Sequence, residues 1–413
     1  MAEQIPYPTG YLNPIFERRR VMHRTALHFF CISLFLLLPA ACNGSDGNMV
    51  NGVTDYRVET VLSGLEHPWG MIFLPGRENL ALVTERPGRL NLVDVGNGEI
   101  HGISGIPEVA AVGQGGLLDV AVHPEFTENN LVYLSYTAGG DDPGQYATHV
   151  ARGRLDLDGR HLVDLEVLLV AVPFSDSDAH FGSRMVFDDE NRLYVTSGDR
   201  RDRYSAQDLT GLHGKTLRIH DNGDIPPDNP FIDIEDAHPA IFSYGHRNAQ
   251  GMAVQPGTGD IWQNEHGEYA GDEINVIVKG GNFGWPIATY GREYTDQSEI
   301  GILPPEHEET VDPVYYWAEE DGFPPSGMAF YQGTAFENWE GDLLVGGLRD
   351  QYIARFEVNG TELFKKERIL ENRGWRIRDV RVNPADGFLY VLVDNPDAPL
   401  VRVRPAQETG NAR

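Results

Sequence analysis

The amino-acid sequence reads as an all-β protein, a six-bladed β-propeller of four-stranded antiparallel blades. A six-residue phrase, apolar at its second and fourth places and closed by Pro, Asp or Gln, occurs six times. Its starts are Gly70, Asp119, Arg184, Gly251, Gly327 and Asp379. Each phrase is followed by a turn and a second apolar strand, as at 191–196, 342–345 and 387–393. The turns hold Asp-Gly, Asn or Gly-Thr-Gly, the residues that tight hairpins require. The starts lie roughly 50 to 75 residues apart, the period of propeller blades that carry loop insertions.

Each phrase stands for the first strand of a blade. A single blade cannot bury both its faces, so six of them imply one ring and one domain in spite of the 413-residue length. An apolar share of 41% supplies a large core. The net charge of −29, from 62 acidic and 33 basic residues, speaks against partners such as nucleic acid or an anionic membrane.

The first 42 residues read as an export signal rather than fold. From Met22 a basic start leads into an apolar run at 27–38 and then Pro39-Ala40-Ala41-Cys42, the layout of a secretory leader. Met22 would then be the true start. Residues 43–55 read as a flexible tether, 56–405 as the propeller and 406–413 as a tail. Cys42 stands where bacterial lipoproteins carry a lipidated cysteine, so a cleaved signal and a lipid anchor are two readings of one segment, both placing the protein in the periplasm. The two cysteines, Cys31 and Cys42, both fall in the leader. The propeller therefore has no disulfide, thiolate metal site or cysteine nucleophile.

Strand reversal puts the start of each first strand and the end of each second strand at one rim of the ring. That rim collects His67, Trp69, Gln114, His180, Arg247, Asn248, Arg376 and Arg378 from before first strands. Asp199, Glu265, His266, Arg349 and Asp394 come from after second strands. His180 and Asp199 belong to the same blade, and a carboxylate beside an imidazole selects its tautomer and supports a general base. A structural His–Asp bond would have the same pattern. Arg376 and Arg378 share one face of an extended segment, and Arg247 and Arg349 join them from other blades. Such a cluster suits a rigid polycarboxylate held by guanidinium forks; pairing with the chain's own acids is the alternative. Asn248 and Gln114 suit carbonyl or hydroxyl groups of the same ligand. The Gly-interrupted acidic loop 265–273 suits a hard cation such as calcium. Zinc, Walker and dinucleotide patterns do not occur.

These phrases resemble the soluble pyrroloquinoline quinone (PQQ)-dependent glucose/sorbosone dehydrogenase family, in its aldose sugar dehydrogenase branch. The matching stretches include His67-Pro68-Trp69-Gly70, His180-Phe181-Gly182-Ser183-Arg184, Ser243-Tyr244-Gly245-His246-Arg247-Asn248 and Gly281-Asn282-Phe283-Gly284-Trp285-Pro286. They end with Arg376-Ile377-Arg378-Asp379 and span roughly residues 56–405. The resemblance implies PQQ lying on the channel mouth, met by Gln114, Arg247, Asn248, Arg376 and Arg378, with Arg349 at the quinone. It implies His180 as the base for the C1 hydroxyl of an aldose, Asp199 as its partner, and a lactone product. Electrons would pass on to a soluble or membrane acceptor. It also implies a calcium ion held by the carbonyls of Gly267 and Glu268, and a second near Glu273. Two residues depart from the family pattern: Arg349 stands where Lys is usual, and Glu268 where Pro is usual. A calcium-dependent propeller lactonase and a non-catalytic carbohydrate- or protein-binding propeller are the rival readings.

Overall fold

The computed structural model describes residues 54–318 and 322–406. The readings of 1–42 as leader, of Cys42 as anchor, and of most of the tether and tail lie outside them. Among the described residues the strands form six four-stranded sheets. The first is a simple antiparallel meander of Pro68–Leu74, Arg77–Glu85, Arg89–Asp94 and Ile100–Ile103. The recurring phrase overlaps the strand that opens each sheet: Pro68–Leu74, Leu117–Val122, Met185–Phe187, Ala249–Val254, Pro325–Phe330 and Ile377–Val382. Each of these touches its counterpart in the blades on either side, and the sixth touches the first. They therefore line a closed ring.

The ring is fastened by the two ends of the propeller. Strand Tyr56–Leu65 pairs with Ala398–Pro405, Tyr56 opposite Pro405 and Leu65 opposite Ala398. The sixth blade thus takes one strand from the start of the chain and three from its end. The apolar places of the phrases pack blade against blade. Leu74, Leu82 and Leu92 meet Val120, Val132 and Leu134, and Tyr133 and Val150 meet Met185 and Val195. Burial of these faces drives ring closure.

The first place of the phrase has a separate explanation. It is Gly70, Asp119, Arg184, Gly251, Gly327 and Asp379 in turn around the axis. Arg184 donates to Asp119 (Nη1–Oδ1, 2.9 Å) and pairs with Asp379 at 3.3 Å, all three buried. Glycine makes room: a Cβ on Gly70 would sit 2.5 Å from Asp119 Oδ1, and one on Gly327 would sit 2.0 Å from Asp379 Oδ1. Three charged side chains fill the axis because the other three positions have none. Arg381 bonds Asp379 at 3.0 Å and lies 3.9 Å from Asp119, so Arg184→Leu leaves two buried carboxylates sharing one cation, and stability falls by about 3 kcal/mol. The expected readout is a lower urea midpoint at unchanged slope.

Candidate active site

Register brings the rim residues together as strand reversal requires. Pro68 pairs with Glu85, Ala249 with Glu265, Pro325 with Gly347 and Ile377 with Val393. At this rim, above the axial Arg184, lies a cavity of about 540 Å³. All six blades or their leading loops contribute to it: Trp69, Gln114, Phe181, Asn248, Leu348 and Arg378 are examples. Trp69 joins floor to axis, with the Arg184 guanidinium 4.3 Å from its ring centroid.

His180 and Asp199 meet beside this cavity: neither lines it, but Phe181 and Gly182, which follow His180 in the chain, do. His180 Nδ1 lies 2.7 Å from Asp199 Oδ1. That bond puts the proton on Nδ1 and leaves Nε2, which has no protein partner among the described residues, as the free lone pair. The His180 N–H donates to Gln114 Oε1 at 3.0 Å, so the Gln114 amide NH₂ is the group left for a ligand. His180 has a φ of +55°, a strained setting for a side-chain-bearing residue. Buried Arg200 braces it, donating to the carbonyls of Ser177 and Ala179 and stacking 3.4 Å from the Phe181 centroid. Burial holds the His180 imidazole below histidine's ordinary 6.5, although the Asp199 bond pulls the other way. Burial would raise Asp199, but the bond to His180 and the charge of Arg247 bring it below its ordinary value. The pair is therefore a neutral imidazole on an ionised carboxylate.

The guanidinium cluster forms, and it carries its own acids. Arg376 and Arg378 both donate to Asp394 Oδ2, at 3.2 and 3.0 Å. His67 Nδ1 lies 2.8 Å from Asp394 Oδ1. Burial pushes Asp394 up, but the charge of Arg378, the hydrogen bond from His67 and the charge of Arg376 hold it well below the carboxylate range. Arg378 also donates to Gln250 at 3.0 Å, yet its buried Nε–H has no partner among the described residues. With Arg86 also lining the wall, three guanidiniums face one carboxylate and the cavity stays net cationic. Arg247 belongs to a second set. Its Nε donates to Glu268 at 2.9 Å, and Glu268 also pairs with Arg203 at 3.2 Å. The residue that departs from the expected Pro is thus the counter-ion of Arg247. Arg349 is exposed and does not line the cavity; its neighbour Leu348 does.

The acidic loop encloses a void of about 10 Å³ bounded by Glu265, Gly267, Gly271 and Glu273, room for about one water or ion. Burial and the charge of Glu265 raise the Glu273 carboxyl well above its ordinary value. The described residues hold no group of three His, Cys, Asp or Glu side chains arranged for a metal. An ion here would depend on backbone carbonyls, which calcium accepts.

Asp394, Gln250 and Arg86 are cavity residues that rim position marks but residue type alone does not single out. Trp285 is missed as well. It sits in no rim strand, and its part depends on a contact between blades.

Together, fold and site define a propeller with a cationic cavity on its axis and a His–Asp base beside it. The sequence model of the glucose/sorbosone dehydrogenases matches residues 65–402. The chain belongs to that family and is accordingly an oxidoreductase. It is 42% identical to the aldose sugar dehydrogenase YliI of Escherichia coli K12, over 90% of this chain and 98% of that one. The apo crystal structure of the E. coli soluble aldose sugar dehydrogenase superposes with a TM-score of 0.79 at 41% identity, covering 85% of this chain and 99% of that one. The PQQ-bound aldose sugar dehydrogenase of Streptomyces coelicolor gives 0.70 at 28% identity, covering 85% and 98%.

Proposed function

We propose that the protein oxidises aldose sugars at C1 to the lactone, with PQQ as hydride acceptor and calcium as second cofactor. The observation that carries this reading is the free Nε2 of an Asp-held histidine beside a cationic cavity. His180 Nε2 would take the proton of the C1 hydroxyl as the sugar gives up two electrons and two hydrogens in all. Asp199 steadies the imidazolium that forms. Gln114, Asn248, Arg376 and Arg378 would meet the carboxylates and carbonyls of the cofactor, and the unpartnered Arg378 Nε–H fits an acidic ligand. Arg247 would join them in competition with Glu268. PQQ, when bound, supplies a two-electron hydride acceptor. Calcium on the Gly267 and Glu268 carbonyls would supply Lewis acidity. A second ion at Glu273 would relieve the charge shared with Glu265. Read as an export signal, residues 1–42 would send this activity to the periplasm, where an acceptor would take the electrons.

Apoprotein supplied with PQQ and calcium chloride is expected to reduce a redox dye with at least one sugar of an aldose panel and to release its lactone. A preparation that binds PQQ but turns over no aldose would overturn the reading. The pH profile supplies a further check. The base acts in its neutral form, and its depressed pKa means that this form persists below pH 6.5. Activity should therefore be lost only as pH falls through that lower value. The acid limb of kcat/KM is expected below 6.5; a limb above it would contradict the assignment.

A further inference from the structure

We propose that Trp285 is a positioning residue for the His180–Asp199 pair, its indole N–H holding the second oxygen of Asp199 so that the first stays in line with His180. This rests on the reading of His180 as the base. Trp285 Nε1 donates to Asp199 Oδ2 at 2.8 Å. The other oxygen, Oδ1, meets His180 Nδ1 at 2.7 Å and the Arg201 N–H at 2.9 Å. Both oxygens of a carboxylate that is only 1% exposed are thus engaged. Without the indole, Oδ2 would have no hydrogen bond to stop the group from turning about χ2.

The brace crosses between blades. Asp199 follows the strand Arg192–Ser197 of the third blade. Trp285 lies in the loop after the strand Glu273–Val276 of the fourth. The backbone N–H of Trp285 donates to the Gly245 carbonyl at 2.9 Å. Its ring lies near two guanidiniums, Arg203 at 5.6 Å and Arg247 at 5.4 Å, and Glu268 bonds to both. Trp285→Phe keeps a ring for those cations and removes the N–H.

Three N–H groups share the charge of one carboxylate. Removing the indole leaves more of that charge facing the imidazole, so the proton affinity of His180 should rise. The other charged or titratable groups acting on the pair are Arg247 and Arg201, Arg200, His213 and His266. The substitution leaves all of them in place.

The test uses full-length protein labelled with ¹⁵N at histidine and tryptophan, His180 and Trp285 being assigned by substitution. In the wild type, the Trp285 indole signal is expected to move with the same pH midpoint as the His180 ring. In Trp285→Phe, the His180 midpoint is expected to rise by roughly half a pH unit. In the PQQ- and calcium-loaded variant, kcat should fall about tenfold with KM for sugar little changed. An indole signal indifferent to the titration of His180 would overturn the proposal, as would a variant with wild-type midpoint and kcat. The indole measurement needs no substitution to fold. The midpoints are read without turnover, so a wild type inactive on every sugar sinks the functional reading while they still decide this one.

Discussion

His180→Ala loses sugar-dependent dye reduction, with kcat down by roughly 10³ or more, while PQQ binds as it does to the wild type. The size follows from what a positioned base supplies, commonly 10² to 10⁴, at a site where, among the described residues, no second imidazole is bonded to Asp199. Its other side-chain partner is the Trp285 indole, which cannot accept a proton. The cofactor groups named above come from Gln114, Asn248, Arg376 and Arg378, so truncating one imidazole leaves them intact. Separate measurements of cofactor affinity and of turnover decide the matter. Turnover within about tenfold of wild type would assign the base elsewhere. Loss of cofactor binding alone would make His180 a ligand of the cofactor rather than a base.

Arg378→Ala should have the opposite signature, with PQQ affinity falling roughly a hundredfold or more. Arg378 is buried, lines the cavity and spans the Asp394 and Gln250 sides of its wall. Removing it takes away the donor whose Nε–H is still unused. Asp394 would keep Arg376 and His67 as partners, so the fold should survive, as a urea transition near that of wild type would show. Arg378→Lys should recover only part of the affinity, because an ammonium cannot supply the planar fork. Titration of cofactor absorbance against each variant measures the effect. An unchanged affinity in Arg378→Ala would remove this residue from the cofactor site.

Much of the architecture was legible because the phrase has a double constraint. Its second and fourth places must be apolar to pack between blades. Its first place converges on the axis, where only glycine or a mutually paired Asp119–Arg184–Asp379 set fits. The site was legible as far as rim position went. His180 and Asp199 belong to one blade and adjoin neighbouring strands, so local strand reversal is enough to bring them together. Asp394 and Glu268 were harder. An acid beside an arginine cluster can face a ligand, solvent or the arginines, and the residue type does not choose among these. Arg349 shows the same ambiguity from the other side: its position after a second strand put it on the rim, but the chain turns so that Leu348 lines the cavity instead.

The order of residues along the chain determined the blade count, the rim that carries polar groups and the identity of the His–Asp pair, because each depends on periodicities within one hairpin. Ring closure decided the rest. It brought Tyr56–Leu65 onto Ala398–Pro405, set Glu268 against Arg247, joined Arg376 and Arg378 to Asp394, and carried Trp285 from the fourth blade onto Asp199 in the third. Those contacts join residues distant in sequence, and their distances exist only once six twisted sheets have packed around a common axis.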